Sequence, residues 1–149
     1  MRALLQRVIE ASVEADDQVI GRIDRGVVTL LGVAAGDGPS DSGYVAEKIL
    51  HLRIFEDDHG KLNHSLVETK GACLLVSQFT LLADTGRGRR PDFLRAATPA
   101  VAEPLVRDVA ERLRQGGVTV AEGRFGARMV VRLVNEGPVT ILLDSRERS

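Results

Sequence analysis

Apolar positions along this chain fall into two rhythms. Over residues 3–13, Leu4, Leu5, Val8, Ile9 and Val13 mix with Gln6, Arg7, Glu10 and Ser12, a spacing that matches helix and strand templates each in part. The β-rich stretches that follow favour a strand. Asp16-Asp17 marks a turn, residues 19–23 and 27–33 read as strands separated by Asp24-Arg25-Gly26, and Gly36-Asp37-Gly38-Pro39 is a break. The rhythm then becomes helical: Ser40 is placed to cap, Asp41 suits a first turn, and Val45, Ile49 and Leu52 share one face. Extended structure resumes at 53–55 and again in the apolar run 72–76. Thr98-Pro99 opens the longest helix, where Val101, Leu105, Val109 and Leu113 repeat every four residues until Gly116-Gly117. Pro104 there predicts a kink or a later start. Residues 118–121, 129–134 and 139–143 complete the strands, and the charged tail from Ser145 is expected to fray.

These elements predict an α+β fold, one domain over residues 1–149, with a mainly antiparallel, barrel-like sheet and two main helices. A length of 149 residues with 44% hydrophobic and 28% charged residues is ordinary for a globular chain with a real core. Aromatics make up only 3%, so Val, Leu, Ile and Ala must build that core. A net charge of −1 exerts no global pull on a polyanion, so any such binding has to come from a local patch. The single Cys73 has no disulfide partner and sits in an apolar run, as a small hydrophobe would in a reducing compartment. Neither a signal-peptide pattern nor a bilayer-length apolar run is present, so a cytoplasmic protein without membrane partners is expected.

Two segments break the local rules. Ser77-Gln78-Phe79-Thr80-Leu81 ends a buried strand in amide and hydroxyl side chains. Asn135-Glu136-Gly137-Pro138-Val139-Thr140 puts a proline, which has no N–H, between two apolar runs. The first offers hydrogen-bond donors, including the backbone N–H groups of Phe79 and Thr80, for a developing oxyanion, yet it holds no side chain that acts as a base near neutral pH. Capping of neighbouring backbone explains the same residues equally well. For the second, a tight turn and a cis bond that aims two carbonyls outward are both open readings. Arg87, Arg89 and Arg90, on a loop with Gly88 and Pro91, form either a phosphate grip or a solvated charge run. The histidines His51, His59 and His64 have no metal-ligand spacing, and neither a phosphate-binding loop nor a nucleophile elbow is found. No metal or cofactor is expected.

With both segments complete, the chain resembles the D-aminoacyl-tRNA deacylase family. The match extends from Met1-Arg2-Ala3 and Gln6-Arg7-Val8 through Gly88-Arg89-Arg90-Pro91 and Gly123-Arg124-Phe125-Gly126 to Leu142-Leu143-Asp144-Ser145. The resemblance implies hydrolysis of the ester of D-aminoacyl-tRNA, and of glycyl-tRNA, by a homodimer with no cofactor. In it a Gly-cisPro element, Gly137-Pro138, enters the partner's Ser77–Thr80 pocket and excludes L-aminoacyl esters. It implies catalytic roles for Gln78, Phe79 and Thr80, a loop-fixing role for Arg7, and pocket walls at Ser77, Phe125, Ala127 and Met129. The substrate's own 2′-hydroxyl is implied to assist, which answers the missing base. Leu62, Leu82, Asp92 and Arg128 depart from the family pattern. Two rival readings are a non-catalytic dimer that binds the tRNA end, and a hydrolase with Thr80 or Ser77 as covalent nucleophile.

Overall fold

The computed structural model describes residues 1–148. Its longest strands, β1 (Arg2–Ala15) and β8 (Val130–Asp144), run antiparallel along almost their whole length. The other edge of β1 pairs first with β3 (Gly26–Gly32) and then with β2 (Gln18–Ile23). The sheet continues from β3 through parallel pairings to β6 (Ala72–Ser77) and β7 (Thr119–Glu122). Four of the strand pairs are antiparallel, as expected, and the β3–β6 and β6–β7 pairs are the parallel exception; β4 (Phe55–Glu56) and β5 (Leu62–His64) form a separate small hairpin. The curl of the sheet brings Gly21 of β2 against the Glu122 carbonyl and Leu74, giving a nearly closed barrel.

The ambiguous rhythm of β1 has a structural cause. Ala3 and Leu5 point to a core shared with both helices, whereas Val8, Ala11 and Val13 point to a second core within the curled sheet. The pairing register with β8 slips on either side of Val8. A bulge changes which face the alternating side chains occupy, so a single strand carries two phases. The run Cys73–Val76 is apolar throughout because β6 is buried on both faces: Cys73 and Leu75 face the helices, Leu74 and Val76 the inner core. Burial of Cys73 pushes its thiol up to about 12.

The helices α1 (Pro39–His51) and α2 (Pro99–Gln115) pack together over β1, β3 and β6. The cap of α1 is Gly38 rather than Ser40: the Asp41 carboxylate accepts from the Gly38 N–H at 2.9 Å, and Pro39 takes the first helical position. In α2, Pro104 is accommodated inside the helix, which starts at Pro99, so the later start is not needed. The face of α2 drifts, because a four-residue step advances about 40° beyond a full turn. Leu105, Val109 and Leu113 stay buried, Val101 turns outward, and Ala102, Val106 and Ala110 complete the packing. Asp108 of α2 accepts from the Ser42 hydroxyl of α1 and from Arg112.

Of the tail expected to fray, residues 145–148 are described and bond to the body of the fold, and residue 149 lies outside the described residues. Ser145 is buried, its N–H donates to the Met1 carbonyl, and its hydroxyl lies between the Met1 ammonium at 2.8 Å and Asp41 at 2.7 Å. The ammonium also pairs with Asp37 at 2.7 Å, with both groups almost wholly out of water. Among the described residues no helix is long and apolar enough to cross a membrane.

Candidate active site

Parallel pairing of β3 with β6 sets Leu31 beside Ser77, the last rung of that ladder. Beyond it the Gln78 N–H donates to the Leu31 carbonyl at 2.7 Å, and the chain winds into a 310 turn, Phe79–Leu82. That turn lies directly on Gly32: a Cβ there would stand 2.5 Å from Leu82 Cδ2 and 2.8 Å from the Gln78 carbonyl. Arg2 anchors the far end, donating to the Leu81 carbonyl at 3.1 Å and to Asp144 at 2.9 Å. The polar segment is therefore a strand-to-turn corner held at both ends.

A cleft of about 510 Å3 opens beside this corner. Its floor is Leu31, Val33 and Val76; one wall is Ala96, Pro99, Ala102 and Val106, the other Phe125, Ala127 and Met129. Ser77, Gln78 and Phe79 supply its polar end. None of the described residues lining it titrates near neutral pH. The N–H groups of Phe79 and Thr80 open the turn with no hydrogen-bond partner among the described residues, whereas Leu81 and Ala83 donate to the Gln78 and Thr80 carbonyls. The Gln78 amide donates to Thr80 Oγ1.

The structure thus gathers six expected residues, Ser77, Gln78, Phe79, Phe125, Ala127 and Met129, around one cleft, with Thr80 on the adjoining turn. Gly137, Pro138 and Arg7 do not line it. The apolar runs flanking Gly137-Pro138 belong to one strand, β8, not to two strands joined by a tight turn. The Gly137–Pro138 bond is cis, and both residues are exposed. Asn135 Nδ2 ties the segment down, donating to the Arg7 carbonyl at 2.8 Å and to the Val139 carbonyl at 3.0 Å. Buried Arg7 donates to the Ile54 carbonyl at 2.9 Å and to the Glu136 carbonyl at 3.3 Å, with Glu56 and Glu136 carboxylates nearby. Arg87, Arg89 and Arg90 project from an exposed loop closed by mutual backbone bonds between Asp84 and Asp92, outside the cleft.

A family model described as D-Tyr-tRNA(Tyr) deacylase matches residues 4–144. The chain belongs to that family. A curated D-aminoacyl-tRNA deacylase of Roseiflexus castenholzii is 57% identical over 145 residues, covering 97% of this chain and 92% of the relative. Another, of Syntrophotalea carbinolica, is 54% identical and covers 99% of each chain. A solved structure described as a c-Myc DNA unwinding element binding protein superposes with a TM-score of 0.90 at 38% identity, covering 97% of this chain and 98% of that one. One described as a probable eukaryotic D-amino acid tRNA deacylase shares the fold, with a TM-score of 0.80 at 21% identity over 95% of this chain and 97% of that one.

Within this deacylase family member, several cleft residues escaped the reading of the sequence. Phe93, outside the lining itself, meets the cleft residue Phe79 edge to face, with ring centroids 5.0 Å apart and planes at 72°. Ala102 and Val106 are four apart on α2, and that spacing was a legible signal once the helix was assigned. Leu31 and Val33 carried no comparable signal, because only the pairing of β3 with β6 brings them to the site.

Proposed function

We propose that the protein hydrolyses the ester bond of D-aminoacyl-tRNA, releasing a free D-amino acid and tRNA. The observation that carries this reading is a donor-rich cleft with no base, in a chain whose second family segment does not line that cleft. In this mechanism the terminal adenosine and its aminoacyl group enter the cleft. Water attacks the ester carbonyl, and the oxyanion that forms receives the Phe79 and Thr80 N–H groups. The ribose 2′-hydroxyl assists the attack, and the leaving 3′-oxygen takes the proton that the water gives up. An aminoacyl ester is labile enough for positioning and oxyanion stabilisation to suffice.

Stereochemical selection belongs to a homodimer. The Gly137 and Pro138 carbonyls of one subunit face the partner's cleft, hold the substrate amino group and leave no room for an L side chain. Glycine, with no side chain to exclude, passes the same filter. Support for a second copy comes from the outer faces of β1 and β8, where Ile9, Val130, Val134 and Leu142 are exposed apolar residues on adjoining strands. Arg87, Arg89 and Arg90 are assigned to tRNA phosphates, and the work is cytoplasmic. Thr80 is a poor covalent nucleophile: its neighbour, the Gln78 amide, donates to the hydroxyl and has no site to take its proton.

The test is deacylation of matched D-, L- and glycyl-tRNA by the purified protein, with the mass of the active species measured in parallel. Cleavage of the D and glycyl esters by a dimer is expected, and rapid loss of the L-ester would refute exclusion. Retention of all three esters, with salt-sensitive tRNA binding, would favour the non-catalytic reading.

A further inference from the structure

A second cavity, of about 230 Å3, adjoins the cleft and shares Ser77, Val106 and Phe125 with it. Its remaining walls differ in kind from the cleft's: Glu103 and Arg107 come from α2, Glu122 ends β7, and Arg124 lies two residues beyond it. Glu122 is already held by Arg114 at 2.8 Å, and Arg124 reaches Asp16 at 3.0 Å. Glu103 and Arg107 are less committed, 3.8 Å apart and more than half exposed.

The sign of these groups restricts what fits. A phosphate presents only acceptors and a negative charge; Arg107 and Arg124 suit it, but Glu103 and Glu122 oppose it and would be left without a donor from the ligand. A nucleobase edge that combines an amino donor with ring acceptors matches both kinds of wall. Unpaired RNA ends are read in this way, by stacking on an aromatic ring and hydrogen bonds to the base edge. Phe125 lines both cavities and so lies between them. All tRNAs carry cytidine before the terminal adenosine, and cytosine has one amino donor, N4, beside the acceptors N3 and O2.

We propose that this cavity is a subsite for the cytosine next to the terminal adenosine. The inference rests on the reading that the larger cleft takes the aminoacyl-adenosine end. Glu103 accepts from N4, Arg107 donates to N3 or O2, and Phe125 stacks on the base. Uracil in the same place turns O4 toward the Glu103 carboxylate and N3–H toward Arg107, so the Glu103 contact fails and Arg107 keeps only O2 as an acceptor.

The experiment compares two dinucleotides, cytidylyl-adenosine and uridylyl-adenosine, for binding to the whole protein, and two D-aminoacyl-tRNAs with C or U before the terminal adenosine for steady-state cleavage. Tighter binding of the cytidine dinucleotide by on the order of tenfold, the value of one base-edge contact, is expected, with the change appearing in KM more than in kcat. Glu103→Gln, whose amide can donate to uracil O4, is expected to bring the C-to-U ratio toward one. Equal binding of the two dinucleotides, or a ratio untouched by Glu103→Gln, overturns the subsite. A variant that changes preference among D-amino acids while C and U ends behave alike would assign the cavity to the substrate side chain and overturn it as well. Absence of cleavage of either tRNA would instead count against the deacylase reading, and dinucleotide binding keeps the two failures apart.

Discussion

Replacing Arg7 with Met separates stability from selectivity. Methionine keeps much of the buried stem while removing the guanidinium, which is 3% exposed and spans from the Ile54 carbonyl to the Glu136 carbonyl. A hydrogen bond to a charged group contributes about 1.5–3 kcal/mol. The bond to Ile54, at 2.9 Å and buried, belongs near the middle of that range, and the one to Glu136, at 3.3 Å, near or below its lower end. The carboxylates of Glu56 and Glu136 are 54% and 38% exposed, so their ion pairs add little. The total is about 3 kcal/mol, which for a chain of this size lowers the melting temperature by roughly 6–12 °C.

Selectivity is the more informative readout. Glu136 immediately precedes Gly137, so the Arg7 bond to its carbonyl fixes the segment proposed to exclude L substrates. Arg7→Met is expected to raise cleavage of L-aminoacyl-tRNA relative to D in single-turnover assays run well below the melting temperature. Arg25→Gln is the control: among the described residues the Arg25 guanidinium pairs only with the Glu136 side chain, at 3.1 Å, and is 75% exposed. It should cost under about 1 kcal/mol and leave the D-to-L ratio alone. If Arg7→Met melts early yet keeps that ratio, Arg7 is a structural residue and its assignment to the selective loop is wrong.

Gly137→Ala puts a side chain at φ +122, with Cβ 2.9 Å from Val139 Cγ2 and 3.1 Å from Arg7 Nη2, so the D-to-L cleavage ratio is expected to fall. Asp37→Asn leaves the Met1 ammonium buried without its counter-charge and should cost about 3–5 kcal/mol in urea unfolding; a loss below about 1 kcal/mol would show that Ser145 alone satisfies it. Burial raises the pKa values of Asp41, Asp108 and Asp144, but their hydrogen bonds and nearby cations more than reverse this, so all three are depressed. A depressed carboxylate stabilises the fold above its unfolded pKa near ~4, and that stability disappears as the pH falls through the folded value. The urea midpoint should therefore drop steeply below about pH 4, and less steeply in Asp144→Asn. Cys73, buried and pushed up to about 12, should resist iodoacetamide at neutral pH in the native protein and react once the chain is unfolded.

The parts of the fold legible in the sequence are those set by local chemistry. Thr98-Pro99 and Gly116-Gly117 bracket α2, and Asp16-Asp17 makes the first turn with both residues at positive φ. What escaped depends on distant partners. The phase change in β1 follows from its slip against β8, more than a hundred residues away. The tail reads as loose because its anchors, the Met1 ammonium and Asp41, lie at the other end of the chain. Ser40 has a good capping side chain, yet Pro39 takes the first helical position and moves the cap to Gly38. The donor-rich corner was visible as a local anomaly. Of the apolar cleft beside it, the resemblance implies the wall of Phe125, Ala127 and Met129, but the floor and the α2 wall come from elements that only the tertiary fold assembles.

The same distinction explains why the two unusual segments were legible in chemistry but not in arrangement. Each is held by its own local frame: Gln78 by the Leu31 carbonyl, Gly137-Pro138 by Asn135 and Arg7. Within one chain the second segment does not line the cleft. On the proposed reading, selection and catalysis are separable functions on separate surfaces, joined only when two copies meet. A change that weakens the meeting of those copies should lose discrimination before it loses the cleft's donors, whereas a change at Phe79 or Thr80 should lose rate while leaving the D-to-L ratio in place.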